Sequence, residues 1–67
     1  MKRQDIAPGM VVTYRPLAHR RVYEATVLDV IQRMRGVRVK IEVRAHEGGQ
    51  LVKLVPLAHI YPAGFVP

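Results

Sequence analysis

The sequence predicts an all-β domain, a small and strongly bent barrel of five short strands, and three observations carry that prediction. Residues 37–45 alternate apolar and charged side chains at every second position, which is the period of a half-buried strand. Glycine and proline clusters punctuate the rest of the chain at hairpin spacing. No stretch repeats its apolar residues at helical intervals.

The first strand is expected from Met10 to Arg15. Pro8-Gly9 marks its start, and Pro16 ends it because proline has no amide to give a central ladder. Either Val11 or Val12 faces the core. The second strand, Val22–Ile31, is rich in branched and aromatic residues, and its alternation changes phase near Leu28-Asp29, where a β-bulge would account for the shift. The charged segment Arg33-Met34-Arg35-Gly36 then forms a hairpin, with Gly36 supplying a positive φ.

The third strand is Val37–Ala45. Val37, Val39, Ile41 and Val43 share one face, and Arg38, Lys40, Glu42 and Arg44 share the other. Branching at Cβ favours this pleated conformation over a helix. His46-Glu47-Gly48-Gly49 is the next hairpin loop. A fourth strand covers Gln50–Val55, and Pro56-Leu57-Ala58-His59-Ile60 forms one short 3-10 turn before a last strand at Ile60-Tyr61. Pro-Leu-Ala-His occurs twice, at Pro16–His19 and Pro56–His59; unmatched flanks make these two proline-initiated turns rather than a duplication. The expected core is Val11 or Val12 with Ala25, Val27, Val30, Val37, Val39, Ile41, Val43, Leu54, Leu57 and Ile60.

With 67 residues the chain holds one domain, its core at about residues 8–62 between short flexible tails. Folding a chain this short buries only about 60% of its unfolded surface, so its stability is expected to be modest. Closing a barrel also removes exposed sheet edges. Eleven Lys and Arg stand against five Asp and Glu, a net charge of +6. That balance puts polyanions first among partners: DNA or RNA, with an acidic protein second. The chain has no Cys, which excludes disulfide frameworks and thiolate metal sites and makes a cytoplasmic setting the expectation. No apolar run approaches the roughly 20 residues of a membrane span, so no membrane partner is expected. A monomer or a small homo-oligomer fits the charge and length.

Residues 8–62 resemble the SH3-like small barrels of the Tudor and KOW type. The resemblance lies in the glycine before an alternating first strand (Pro8-Gly9-Met10-Val11-Val12-Thr13-Tyr14). It continues in an aromatic followed by a charged residue and an alanine (Tyr23-Glu24-Ala25) and in the turn Leu54-Val55-Pro56-Leu57-Ala58-His59-Ile60 before the final strand. It implies a five-stranded barrel serving nucleic acids, methylated peptides or other proteins. The aromatic box of methyl-reading Tudor domains is reduced here to Tyr14 and Tyr23, with Ala45-His46-Glu47-Gly48 where further box residues would stand. The chain is also faintly similar to the small plasmid-type dihydrofolate reductases. The active Val-Gln-Ile-Tyr segment of those enzymes would fall at Val52-Lys53-Leu54-Val55 or at His59-Ile60-Tyr61; neither reproduces it, so that catalysis is not carried over.

The candidate nucleic-acid-binding residues form three groups. Arg15, Arg20 and Arg21 flank the first loop beside Tyr23; Arg33 and Arg35 lie in the second; Arg38, Lys40, Arg44 and Lys53 lie on strands. Arginine forks pair with phosphate oxygens and release counterions. Like charges at Arg38, Lys40 and Arg44 repel unless a partner or Glu42 relieves them. The competing reading of each group is a solvated, solubilising face. Tyr14, Tyr23 and Tyr61 are candidates for base stacking, against a role as half-core tyrosines.

No catalytic role is expected. Serine and cysteine are both absent, and alternation turns Glu24 and Glu42 outward into water. Gly48-Gly49 belongs to a hairpin and precedes no helix, so it is no phosphate loop. His19, His46 and His59 are too dispersed for a metal site. No metal or cofactor is expected. The sequence therefore reads as a small basic accessory module that binds nucleic acid mainly through its phosphate backbone.

Overall fold

The computed structural model describes residues 1–16, 21–44 and 49–66. It is all-β: among the described residues there are five antiparallel strands in one sheet, with helix confined to two short 3-10 turns. The strands are β1 (Val11–Tyr14), β2 (Tyr23–Arg33), β3 (Gly36–Arg44), β4 (Gln50–Pro56) and β5 (Ile60–Pro62), in the spatial order β4-β3-β2-β1-β5.

Each strand falls within about two residues of its expected bounds. The entry to β1 is set by Ala7–Met10, where the Met10 amide donates to the Ala7 carbonyl over 3.2 Å. Pro8 and Gly9, the latter at φ 91°, hold the two central positions, the residue types a type II turn demands. The hairpin between β2 and β3 turns on Gly36 at φ 127°. The register of β2 on β3 slips between Val27 and Asp29, so Leu28 is the extra residue of the expected bulge. The second hairpin loop, His46-Glu47-Gly48-Gly49, lies outside the described residues apart from Gly49.

Pairing register assigns the faces. Val12, Ala25, Val27, Val39, Ile41, Val43, Val55 and Ile60 face inward and form the core, with Val39, Ile41 and Ile60 fully buried. A single flat layer cannot take a side chain out of water, so the sheet must curl over its own inner face. Lys53 on β4 marks that curl: its ammonium lies 5.6 Å from the centre of the Tyr14 ring on β1.

Full closure does not follow. Among the described residues no pairing joins β4 to β5, and both remain edges of the sheet.

Two parts of the expected core are corrected. Leu54 is 46% exposed and Val55 only 4%. Leu51, Val52, Leu54 and Val55 are all apolar, so β4 has no alternation of its own, and its phase is set by pairing Val39 with Val55 and Lys40 with Leu54. Val30 and Val37 are half-buried rather than buried; Val30, opposite fully buried Val39, packs against the edge of the core, and Val37 lies two pairs nearer the hairpin tip. Leu57, on the 3-10 turn Leu57–His59, packs against the core from its rim. In β1 the choice falls on Val12 (1% exposed) over Val11 (46%).

Three residues outside that expectation complete the core. Tyr14 and Ile6 are buried, and Val55 replaces Leu54. Both ends of the described chain also touch the sheet. The Met1 ammonium donates to the Ile60 carbonyl over 3.0 Å, and the Phe65 ring stacks on Tyr61 with centroids 4.2 Å apart.

Candidate nucleic-acid interface

The outer face of β3 is the centre of the basic surface. Cross-strand partners share a face, so the register places Arg38 between Ile31 and Pro56, and Lys40 between Asp29 and Leu54. Glu42 lies between Thr26 and Val52, and Arg44 beside Gln50. Arg33, paired with Gly36, lies on the same face diagonal to Arg38, and Arg35 sits at the tip of the hairpin. The structure therefore strings Arg33, Arg38, Lys40 and Arg44 along one face with Arg35 at its tip, all exposed, and Arg44 lies at the far end, about 26 Å from Arg33. Along β3 the successive outward positions are about 6.7 Å apart.

The distribution of charge on this face is uneven. Residues 29–40, the outer arm of the hairpin, hold Arg33, Arg35, Arg38 and Lys40 against Asp29 alone. Asp29 stands opposite Lys40 across the strands, and one of its carboxylate oxygens accepts the Val30 amide over 2.8 Å. Nearer the body of the sheet, Glu24 and Glu42 flank Arg44 around a shallow depression also lined by Thr26 and Gln50. Arg33, Arg35, Arg38, Lys40 and Arg44 form no ion pair among the described residues. The excess of cations over carboxylates on this face raises the free energy of the isolated protein, and a polyanion removes that cost.

The other expected members lie elsewhere. Lys53 faces inward, opposite Ile41, with its ammonium over Tyr14, so it does not share the surface of Arg38 and Lys40. Tyr23 is half-buried on the inner face, its ring 6.3 Å from that of Tyr14. Arg21 precedes β2 and Arg15 follows β1, at the end of the sheet opposite the hairpin tip. The length of β2 puts them roughly 30 Å from Arg33. Arg15 is half-buried and has an interaction partner of its own, and its amide donates to the His59 carbonyl over 2.9 Å. Arg20 lies outside the described residues.

The tyrosines are committed to internal contacts. Tyr14 is buried between Tyr23 and His59, and Tyr61 stacks on Phe65. The face of Tyr14 that a methylated cation would need carries the chain's own Lys53 ammonium. His19 and His46 lie outside the described residues, and among those described no three His, Cys, Asp or Glu side chains cluster as metal ligands.

One residue of this region was not singled out from the sequence. Met34, at the hairpin tip between Arg33 and Arg35, is fully exposed. Its signal in the sequence is a large apolar residue in a two-residue turn, where Asn, Asp or Gly is the usual choice.

No protein-family model, no curated protein and no solved structure matches this chain. Among the described residues no helix is long and apolar enough to cross a membrane.

Proposed function

We propose that this protein is a small nucleic-acid-binding accessory module that grips the phosphate backbone with the outer face of the β2–β3 hairpin. The carrying observation is the set of exposed cations unpaired among the described residues: Arg33, Arg38, Lys40 and Arg44, aligned by register on one face, and Arg35 at the hairpin tip. Contacts of this kind give affinity and register on the nucleic acid, with little reading of bases. We place the fold among SH3-like barrels of the Tudor and KOW type, on strand order and on the short 3-10 turn before the last strand. The absence of cysteine supports a cytoplasmic setting.

A salt titration of binding to short duplex DNA, single-stranded DNA and RNA tests the proposal, with an Arg38→Ala, Arg44→Ala variant beside the wild type. Micromolar binding is expected to weaken steeply with salt, and the variant's log–log slope should be shallower by about 2, one for each phosphate contact removed. Absence of binding at low salt overturns the proposal.

A second reading has its own observation. Edge strand β4 exposes Leu51, Val52 and Leu54, and its outer amides and carbonyls are unpaired among the described strands, so it offers an acidic protein partner a place to add a strand. Capture of an acidic protein by a variant that has lost nucleic-acid binding would favour that reading.

A further inference from the structure

Resting on the phosphate-binding reading of the hairpin, we infer that its tip is a wedge for duplex DNA: Met34 enters the minor groove and partly unstacks a base step, while Arg33 and Arg35 hold the groove on either side. Three observations lead there. Met34 is 105% exposed, the largest exposure among the apolar side chains. Neither the turn nor the core accounts for it, since a tight hairpin favours small or polar residues at this position and the side chain packs against nothing. It sits in the most cationic part of the chain, beside an open cleft of about 410 Å³ lined by Arg33, Met34, Arg35, Gly36 and Arg38.

The partner follows from this chemistry. A thioether side chain is flexible and polarisable, so it fills an irregular gap such as an opened base step. Arginine is drawn to the negative potential of a narrow minor groove. A flat phosphate-tracking surface has no use for an apolar tip, whereas proteins that kink DNA from the minor groove insert an apolar residue between base steps and bend the duplex by about 20–90°. The bend then carries the flanking phosphates back towards Arg38 and Lys40, which lie one and two residue pairs down the same face.

The test is energy transfer between fluorophores at the two ends of a duplex of about 30 base pairs, comparing wild type with Met34→Ala and Met34→Leu. Affinity is measured in the same titrations. Because Met34 touches nothing in the fold, circular dichroism of both variants should match the wild type. The wild type is expected to raise transfer on binding. At saturating protein Met34→Ala should lose most of the rise, and Met34→Leu should restore it. Binding to duplex DNA without a rise in transfer, or an equal rise with Met34→Ala, overturns the wedge and leaves phosphate binding standing. Binding to single strands or RNA alone does the same. Failure to bind any nucleic acid removes both.

Discussion

The two faces of β3 are built on the same spacing and do opposite work. Val39, Ile41 and Val43 point inward and are buried by the curl of the sheet, while Arg38, Lys40 and Arg44, one residue out of step with them, stand in water. Each inward residue gains from every partner the fold supplies. The outward cations stay in water, offset only in part by Asp29 opposite Lys40 and by Glu42 between Lys40 and Arg44. A strand's alternation can thus assign stability to one set of positions and recognition to the next, and substitutions on the two faces should be separable in a way that mutations in a helix rarely are.

The largest expected effect is at Ile41. Replacing it with Asp places an unpaired carboxylate at a fully buried site, at a cost of several kcal/mol. A core this small supplies about 3–5 kcal/mol in all, so the variant should show no cooperative melting by far-UV circular dichroism. A folded Ile41→Asp protein with wild-type melting would break the distinction between the faces.

Val39→Ala comes next. It removes two methyl groups from a fully buried position and should cost about 2 kcal/mol, lowering Tm by roughly 8–16 °C. Leu54→Ala, on the exposed side of β4, should cost less than about 1 kcal/mol by the same melt. An equal loss at both sites would mean that β4 pairs in the other phase.

The outward face should answer the other way. Arg38→Ala with Arg44→Ala should leave stability within about 0.5 kcal/mol of wild type by denaturant titration, or raise it by relieving repulsion. Lys53 sharpens the contrast, because it is a cation on the inward face. Lys53→Met gives up its contact with the Tyr14 ring and should cost about 0.5–1 kcal/mol, with no change in the salt slope of nucleic-acid binding.

The same two faces explain what was legible in the sequence. Where apolar and charged residues strictly alternate, as in β3, the sequence settles the phase, and Val39, Ile41 and Val43 were readable as core. The change of phase at Leu28 and the positive φ at Gly36 were readable too, since each leaves a local mark. Leu54 was misplaced because β4 is apolar on both sides, so only its pairing with β3 decides which residue turns inward. Ile6 and Tyr14 were missed because their burial depends on distant segments closing over them. Within the basic surface, Arg33, Arg35, Arg38, Lys40 and Arg44 share a region that hairpin register alone implies. The separation of Lys53 and Tyr23 from them follows from the curl, which no local pattern encodes.

The bulge at Leu28 has a consequence of its own. Side chains in a strand repeat every second residue, so β2 behaves like text with a reading frame, and Leu28 is a one-letter insertion that resets it. Up to Val27 the odd-numbered residues of β2 read inward; from Val30 outward the even-numbered ones do, while β3 keeps one frame throughout. Deleting Leu28 would close the slip and leave Val30 inward and Ile31 outward, whereas an unslipped ladder that kept Leu28 would turn Ile31 inward and put Val30 among the arginines. The hairpin arm and the body are therefore two phrases joined at that single letter, and its loss would leave both phrases in frame while flattening the join between them.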